Sequence, residues 1–329
     1  MSGGGPGRSR AGLVVMAYGT PRSPDEVEAY YTHIRRGRPP APEQLADLVR
    51  RYDAIGGLSP LAARTAAQLA GITGALDAAE PGRWATEPGN KHAAPFVEDA
   101  VGALVAAGAS PIVGLVLAPH YSRGSVAEYH ARARDAVAAA GAGGRVAYVG
   151  IDSWHDEPAW LDAQAARVRD ALAGLPAGTH VLFTAHSLPE RVLAGDPYAD
   201  ELAASAAAIA TRVGLPAAPS TTATAVDGPA RVGGGWSLAW QSAGRTPEPW
   251  RGPDVLEVID GVADAGAAAG VLVCPQGFVS DHLEVLYDLD VDATTLAAKR
   301  GLAFARTASI NDEPAVMAAL AARVRAAAG

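Results

Sequence analysis

Residues 181–189 read VLFTAHSLP, an apolar run that breaks at His186 into polar and small residues and a proline, and residues 14–21, VVMAYGTP, repeat that design near the other end of the chain. A continuous apolar run without polar alternation suits a strand buried on both faces, as in a parallel sheet. The clearest runs of this kind are Leu13 to Met16, Ile112 to Ala118, Val146 to Val149, Val181 to Thr184 and Val271 to Cys274. Between them lie Ala-rich stretches with charges at three-to-four spacing, the mark of amphipathic helices. This alternation predicts an α/β fold, and the two matching strand ends argue for two similar halves. Ligands of open parallel sheets gather beyond the carboxyl ends of the strands, so Tyr18, His120, His186 and the segment from Pro275 onward are where chemistry is expected.

With 329 residues, 49% of them hydrophobic and 19% charged, the chain is long enough for two packed domains. The reading divides it into a disordered tail at 1–10, a first domain at 11–165 and a second at 166–311. A mobile Pro/Gly/Ser/Thr-rich loop is expected at 214–235, and a C-terminal helix at 312–328, capped by Asn311, is expected to pack back on the body. A single cysteine, Cys274, excludes an internal disulfide and any site built from several thiolates. The N-terminal MSGGGPGRSRAG has no apolar core, and no apolar run of membrane-spanning length follows, so a soluble, cytoplasmic protein without membrane attachment is expected. The net charge of -8 argues against nucleic-acid binding. It is unevenly placed: residues 1–52 carry +3 and the remainder -11, so one basic patch stands ready for an anion.

Residues 274–292, CPQGFVSDHLEVLYDLDVD, hold Asp281, His282, Glu284, Asp288, Asp290 and Asp292 without one Lys or Arg. Glu284, Asp288 and Asp292 stand four apart and form one row on a helix, where each unpaired pair of like charges costs about 0.2–0.5 kcal/mol. Such a row reads either as a solvated acidic face or as a path for cations. Its place directly after a buried strand favours the second, and oxygen donors with one added imidazole suit iron or zinc. His186 can supply that imidazole. Beside Glu284 it becomes a proton acceptor whose pKa is raised toward physiological pH. Ser187 lacks the G-x-S-x-G setting of a nucleophile, and phosphate-cradling glycine motifs are missing. His33, His130, His155 and His180 are read as structural or solvated.

The combination of MAYGTP at 16–21, YYTHIRRGR at 30–38, RYDAIGGLSPL at 51–61, GNKHAAPFVEDAV at 89–101, LAPHYS at 117–122, TAHSLPE at 184–190, GDPY at 195–198, WQSAGRTPEPWRGPDV at 240–255 and GFVSDHLEVLYDLD at 277–290 resembles the ferrochelatases. Within them it is similar to the monomeric, soluble bacterial type acting on coproporphyrin III. The resemblance implies two Rossmann-like domains, each a parallel four-stranded sheet flanked by helices, with a porphyrin cleft between them. It implies insertion of Fe(II) into the ring with loss of two protons. On that footing His186 and Glu284 are the catalytic pair, and Tyr18 lies across the macrocycle from them. Asp288 and Asp292 continue a metal path along a helix with a π-type widening, Asp292 taking either iron or Mg2+. Arg35, Arg36, Arg51, Tyr52 and Ser59 would meet the substrate's rim, with His92 and Trp240 also contacting it. A coprohaem decarboxylase is the implied downstream partner. Some actinobacterial relatives carry a [2Fe–2S] cluster on four cysteines; with Cys274 alone, no iron–sulfur cluster is expected here.

Overall fold

The computed structural model describes residues 10–142, 144–216, 235–244, 246–266 and 268–329. Residues 1–9 of the expected tail and 217–234 of the expected loop lie outside the described residues. The first sheet holds β1 (Ala11–Ala17), β2 (Trp84–Asn90), β3 (Ile112–Val116) and β4 (Tyr148–Ile151) in the order β2-β1-β3-β4. The second holds β5 (His180–His186), β6 (Trp236–Gln241), β7 (Gly270–Cys274) and β8 (Ala303–Arg306) in the order β6-β5-β7-β8. Every pairing is parallel, so the second half repeats the connectivity of the first.

Both faces of the inner strands are buried, which is why these strands read as continuous apolar runs. Leu13, Val15, Val113 and Leu115 of the first sheet share one core with Val181, Phe183, Leu272 and Cys274 of the second, together with Trp160, Met317 and Leu320. The opposite faces close separately. Val14, Met16 and Val116 pack under Val97, Leu104 and Val126, while Leu182, Val271 and Val273 pack under Val255, Ile259 and Leu289. A one-residue slip of any inner strand would exchange two buried faces of different shape, so the register is fixed.

In each sheet the chain leaves its first strand for one side and returns to the other, making a switch point beside β1 and another beside β5. Tyr18 follows β1, His186 ends β5, and the acidic segment leaves β7 next to β5, where Phe183 pairs with Cys274.

Three strands absent from the sequence reading, β2, β6 and β8, are all at sheet edges, where polar or small residues interrupt the apolar ones. Strand β4, also an edge, begins at Tyr148, two residues later than the apolar run at Val146 suggested. The expected domain boundary at 165 falls inside helix Pro158–Leu172, which runs unbroken and packs on helix Tyr198–Val213. The C-terminal helix Pro314–Ala328 lies along helix Leu61–Ala79 and against β3 and β4. Its N-cap is Glu313, not Asn311. Asn311 instead takes a left-handed backbone, φ 50°, and uses its side chain to hold Asp281.

Phe183 is fully buried in the core that both sheets share. Phe183→Ala is expected to cost about 3–5 kcal/mol in guanidinium denaturation. A loss below about 1 kcal/mol would show that this core does not join the two halves.

Candidate active site

Strand β5 presents His186 as its last residue. Three contacts fix it. The Nδ1–H donates to the Ser187 carbonyl at 2.5 Å, the His186 carbonyl accepts from Tyr198 Oη at 3.2 Å, and Ser187 N donates to the Gln241 carbonyl at 2.8 Å. A carbonyl can only accept, so the proton of a neutral ring sits on Nδ1, and Nε2 is the basic nitrogen. Close packing behind the strand needs a glycine. Gly277 N donates to the Thr184 carbonyl, and a Cβ there would come within 2.4 Å of Ala185 Cβ and 2.7 Å of Ala185 Cα.

The acidic segment forms one continuous helix, α over Leu283–Val285, π over Leu286–Ala293 and α again over Thr294–Lys299. His282 caps it, its Nδ1 accepting from Val285 N at 3.2 Å, which leaves its own proton on Nε2. The π turn follows the i→i+5 pattern that often marks functional sites; Thr294 Oγ1 donates to the Leu289 carbonyl across the same five-residue span. Glu284 lies in the first turn, two residues past the cap, and places Oε1 3.7 Å from His186 Nε2. That is an ion-pair distance, longer than a hydrogen bond, so both groups keep a free edge toward a shared guest. Asp288 accepts from Ser242 Oγ at 2.5 Å and Gln241 Nε2 at 3.3 Å. Gln241 pairs with His186 across the sheet, so the second carboxylate of the row is tied to the strand beside the first site. Asp292 is half-buried and lies near Asp254.

The electrostatics follow from this geometry. Burial alone would lower the His186 pKa, but the nearby Glu284 charge, the Ser187 carbonyl and Asp288 outweigh it, and the net shift is upward. Burial would raise Glu284, yet the His186 and His282 imidazoles and Arg51 bring it down to about 2. Asp288 goes the other way. Burial and the Glu284 charge raise it to about 6 against the pull of Ser242, Arg51 and Gln241. Burial also raises Asp254, helped by Glu257 and Asp292. The row therefore opens on a fixed anion and continues through a carboxyl that exchanges protons near neutrality.

The first half supplies residues that feel the Glu284 charge. Tyr18, just past β1, is 44% exposed, yet the protein packed around its phenol end desolvates it and, with the Glu284 charge, raises its pKa. Ala17 and Tyr18 carbonyls accept from Lys91 N and His92 N at 2.9 Å each, which lays the loop after β2 alongside and brings the His92 ring to 4.6 Å from Tyr18. Gly19 turns the chain with φ 86°, and a Cβ there would meet Ala93 at 2.9 Å. Burial, with Lys91, His33 and Arg132, drops His92 to about 3, so it is neutral. His33, read from the sequence as structural or solvated, has its Nδ1 2.9 Å from His92 Nδ1. Tyr52 is buried and coupled to Glu284. Arg51, on helix Pro42–Ala54, lies 4.9 Å over the ring of Tyr287, and Arg50 donates to Tyr287 Oη at 2.7 Å, so this helix grips the π turn directly.

The remaining residues sort differently. Arg35 stacks over Tyr31 at 5.6 Å and donates to the Arg38 carbonyl, while Arg36 is exposed in a left-handed turn; both lie just past the helix that carries Tyr30 and His33. Ser59 is nearly buried, its hydroxyl accepting from Leu61 N at the start of a helix. Trp240 is 4% exposed and packs with Ala185, Leu193, Tyr198 and Leu202, so the indole belongs to a core and not to an open surface. Tyr198, Gln241 and Ser242 are site residues that the sequence reading did not single out, and His282, named there only as part of the acidic segment, is the helix cap. Only His282 carried a signal, as a residue in cap position two before Glu284.

A family model described as Ferrochelatase matches residues 10–328. The chain belongs to the ferrochelatase family. Curated relatives named coproporphyrin III ferrochelatase include those of Bacillus pumilus, 39% identical and covering 95% of this chain and 96% of the relative, and Geobacillus kaustophilus, 40% identical with 96% of each covered. That of Bacillus subtilis is 38% identical over 95% of this chain and 96% of its own. Among solved structures, SirB from Bacillus subtilis with Fe3+ covers 98% of this ferrochelatase family member and 96% of its own chain at a TM-score of 0.56 and 14% identity, a likeness of fold.

Replacing Glu284 by Gln removes the largest of the influences that raise His186 and leaves burial, which lowers it. In an NMR titration the His186 ring is expected to titrate at lower pH in Glu284→Gln than in the parent. An unchanged or raised midpoint would show that the two side chains do not interact.

Proposed function

We propose that this chain inserts Fe(II) into coproporphyrin III, with two protons released for each metal bound. The observation that carries the reading is the approach of His186 Nε2 to Glu284 Oε1 beyond the carboxyl end of β5, supported by family membership. Metalation replaces two pyrrole N–H protons by one divalent ion, so the site needs a base at the ring's centre. His186 Nε2 is the unprotonated nitrogen of the neutral ring, and the Glu284 carboxylate stabilises the imidazolium formed when that nitrogen accepts a proton. Tyr18 lies on the opposite wall. The arginines of the first half, Arg51 nearest the row and Arg35 and Arg36 farther out, suit the propionates of the rim, since guanidinium forks match carboxylates.

Asp288 and Asp292 form the approach for the metal. Hard oxygen donors hold Fe(II) weakly enough to release it, unlike thiolates, and at Asp292 they accept Mg2+ on the same terms. One buried thiol, Cys274, cannot ligate a [2Fe–2S] cluster. Among the described residues no helix is long and apolar enough to cross a membrane. The proposal includes a cytoplasmic monomer that passes coprohaem to a decarboxylase and binds no nucleic acid.

Anaerobic incubation with Fe(II) and coproporphyrin III is expected to convert the porphyrin absorption bands faster than the uncatalysed reaction. His186→Ala should still quench porphyrin fluorescence on binding while metalation falls by about 100-fold or more. Full metalation by that variant, or none by the parent, would sink the reading, the latter leaving a carrier that binds without turnover.

Because Asp288 is raised to about 6, protons compete with metal there, and the KM for metal is expected to fall as pH rises through that value. In Asp288→Asn that dependence should flatten and the KM should rise. A variant with the parent's pH profile would remove Asp288 from the path.

A further inference from the structure

Two more acids adjoin the row Glu284, Asp288, Asp292: Asp281 just before the helix cap and Asp290 on the π turn. These two are spoken for by one side chain. Arg306, at the end of edge strand β8, lies with Nε 2.5 Å from Asp290 Oδ1 and Nη2 2.9 Å from Asp290 Oδ2, and with Nη1 3.2 Å from Asp281 Oδ1. The same Nη1 donates to the Thr307 carbonyl at 3.1 Å, and the side chain is only 15% exposed. Asp281 is held further by Ser309 Oγ and Asn311 Nδ2, both at 2.9 Å, and Asp281 N donates to Asn311 Oδ1 at 3.0 Å. The Asn311 carbonyl accepts from Gln68 Nε2, which ties this cluster to helix Leu61–Ala79 of the first half.

A π turn differs from an α turn by one residue in register, and a slip of that kind would rotate Glu284 and Asp288 off their common face. Arg306 grips the helix on both sides of Glu284, and its planar fork allows little rotation. We propose that Arg306 is a positioning residue for metal delivery: by clamping Asp281 and Asp290 it fixes the register of the π turn and so the alignment of Glu284, Asp288 and Asp292. The inference rests on the reading of that row as the metal path.

The test compares steady-state metalation of coproporphyrin III by Arg306→Gln, Arg306→Lys, Asp290→Asn and Asp288→Asn. Asp290 is 42% exposed, so its variant folds even where loss of the arginine does not. Arg306→Gln and Asp290→Asn are expected to raise the KM for Fe(II) by about ten-fold with the KM for porphyrin unchanged, as outer-shell partners of metal ligands do. Arg306→Lys should recover part of the loss. A metal KM equal to the parent's in both Arg306→Gln and Asp290→Asn, or metal and porphyrin KM rising together, would overturn the clamp. If instead Asp288→Asn leaves the metal KM unmoved, it is the metal path that fails.

Discussion

The approach of one imidazole to one carboxylate, 3.7 Å between His186 Nε2 and Glu284 Oε1, is the constraint around which the rest is arranged. Neither group is placed by its near neighbours in sequence alone. His186 reaches the site because β5 lies inside its sheet, paired on one side with β6 and on the other with β7, and Glu284 reaches it because the chain leaves β7 beside β5 and is turned into a helix by the His282 cap. Gly277 lets that turn press against the backbone of Ala185. Shift β5 by one residue and His186 would point to the other face of the sheet, into a packed core.

Around that pair the charges are graded. Glu284 stays ionised far below neutrality, Asp288 exchanges its proton near pH 6, and Asp292 stands at the far end beside Asp254, itself raised by burial. A divalent ion moving inward past Asp288 toward Glu284 goes from a carboxyl that still binds a proton near pH 6 to one that is fully ionised and already paired with the base. The two acids adjoining the row face away and are held by Arg306. Tyr18 and Tyr52 of the first half feel the Glu284 charge, and Arg51 touches the π turn through Tyr287, so the two repeats meet at the helix that carries the acids.

Much of this was legible in the sequence because burial on both faces writes itself plainly. Strands β1, β3, β5 and β7 were visible as apolar runs, whereas β2, β6 and β8, at the edges, were not: WATEPGN holds a strand by backbone pairing to β1 with little apolar signal of its own. The acidic row was visible through its spacing, and its partners His186 and Tyr18 through their place after strands. What spacing cannot carry is contact made across the fold. Gln241 and Ser242 reach Asp288, Tyr198 holds the His186 carbonyl, and Arg306 is nearest the acidic helix only once β8 is laid at the sheet's edge. Nor could spacing show that Trp240, the first residue of its motif, packs in a core with Tyr198 and Leu202.

The measurement that bears most directly on the central claim is a crystal structure of the protein with coproporphyrin III bound. The account predicts the macrocycle between the two walls, with a pyrrole nitrogen within hydrogen-bonding reach of His186 Nε2, Glu284 on that same face, Tyr18 on the other, and propionates directed toward Arg51 and the Arg35–Arg36 turn. A ring seated with its nitrogens beyond reach of both His186 and Glu284 would contradict it.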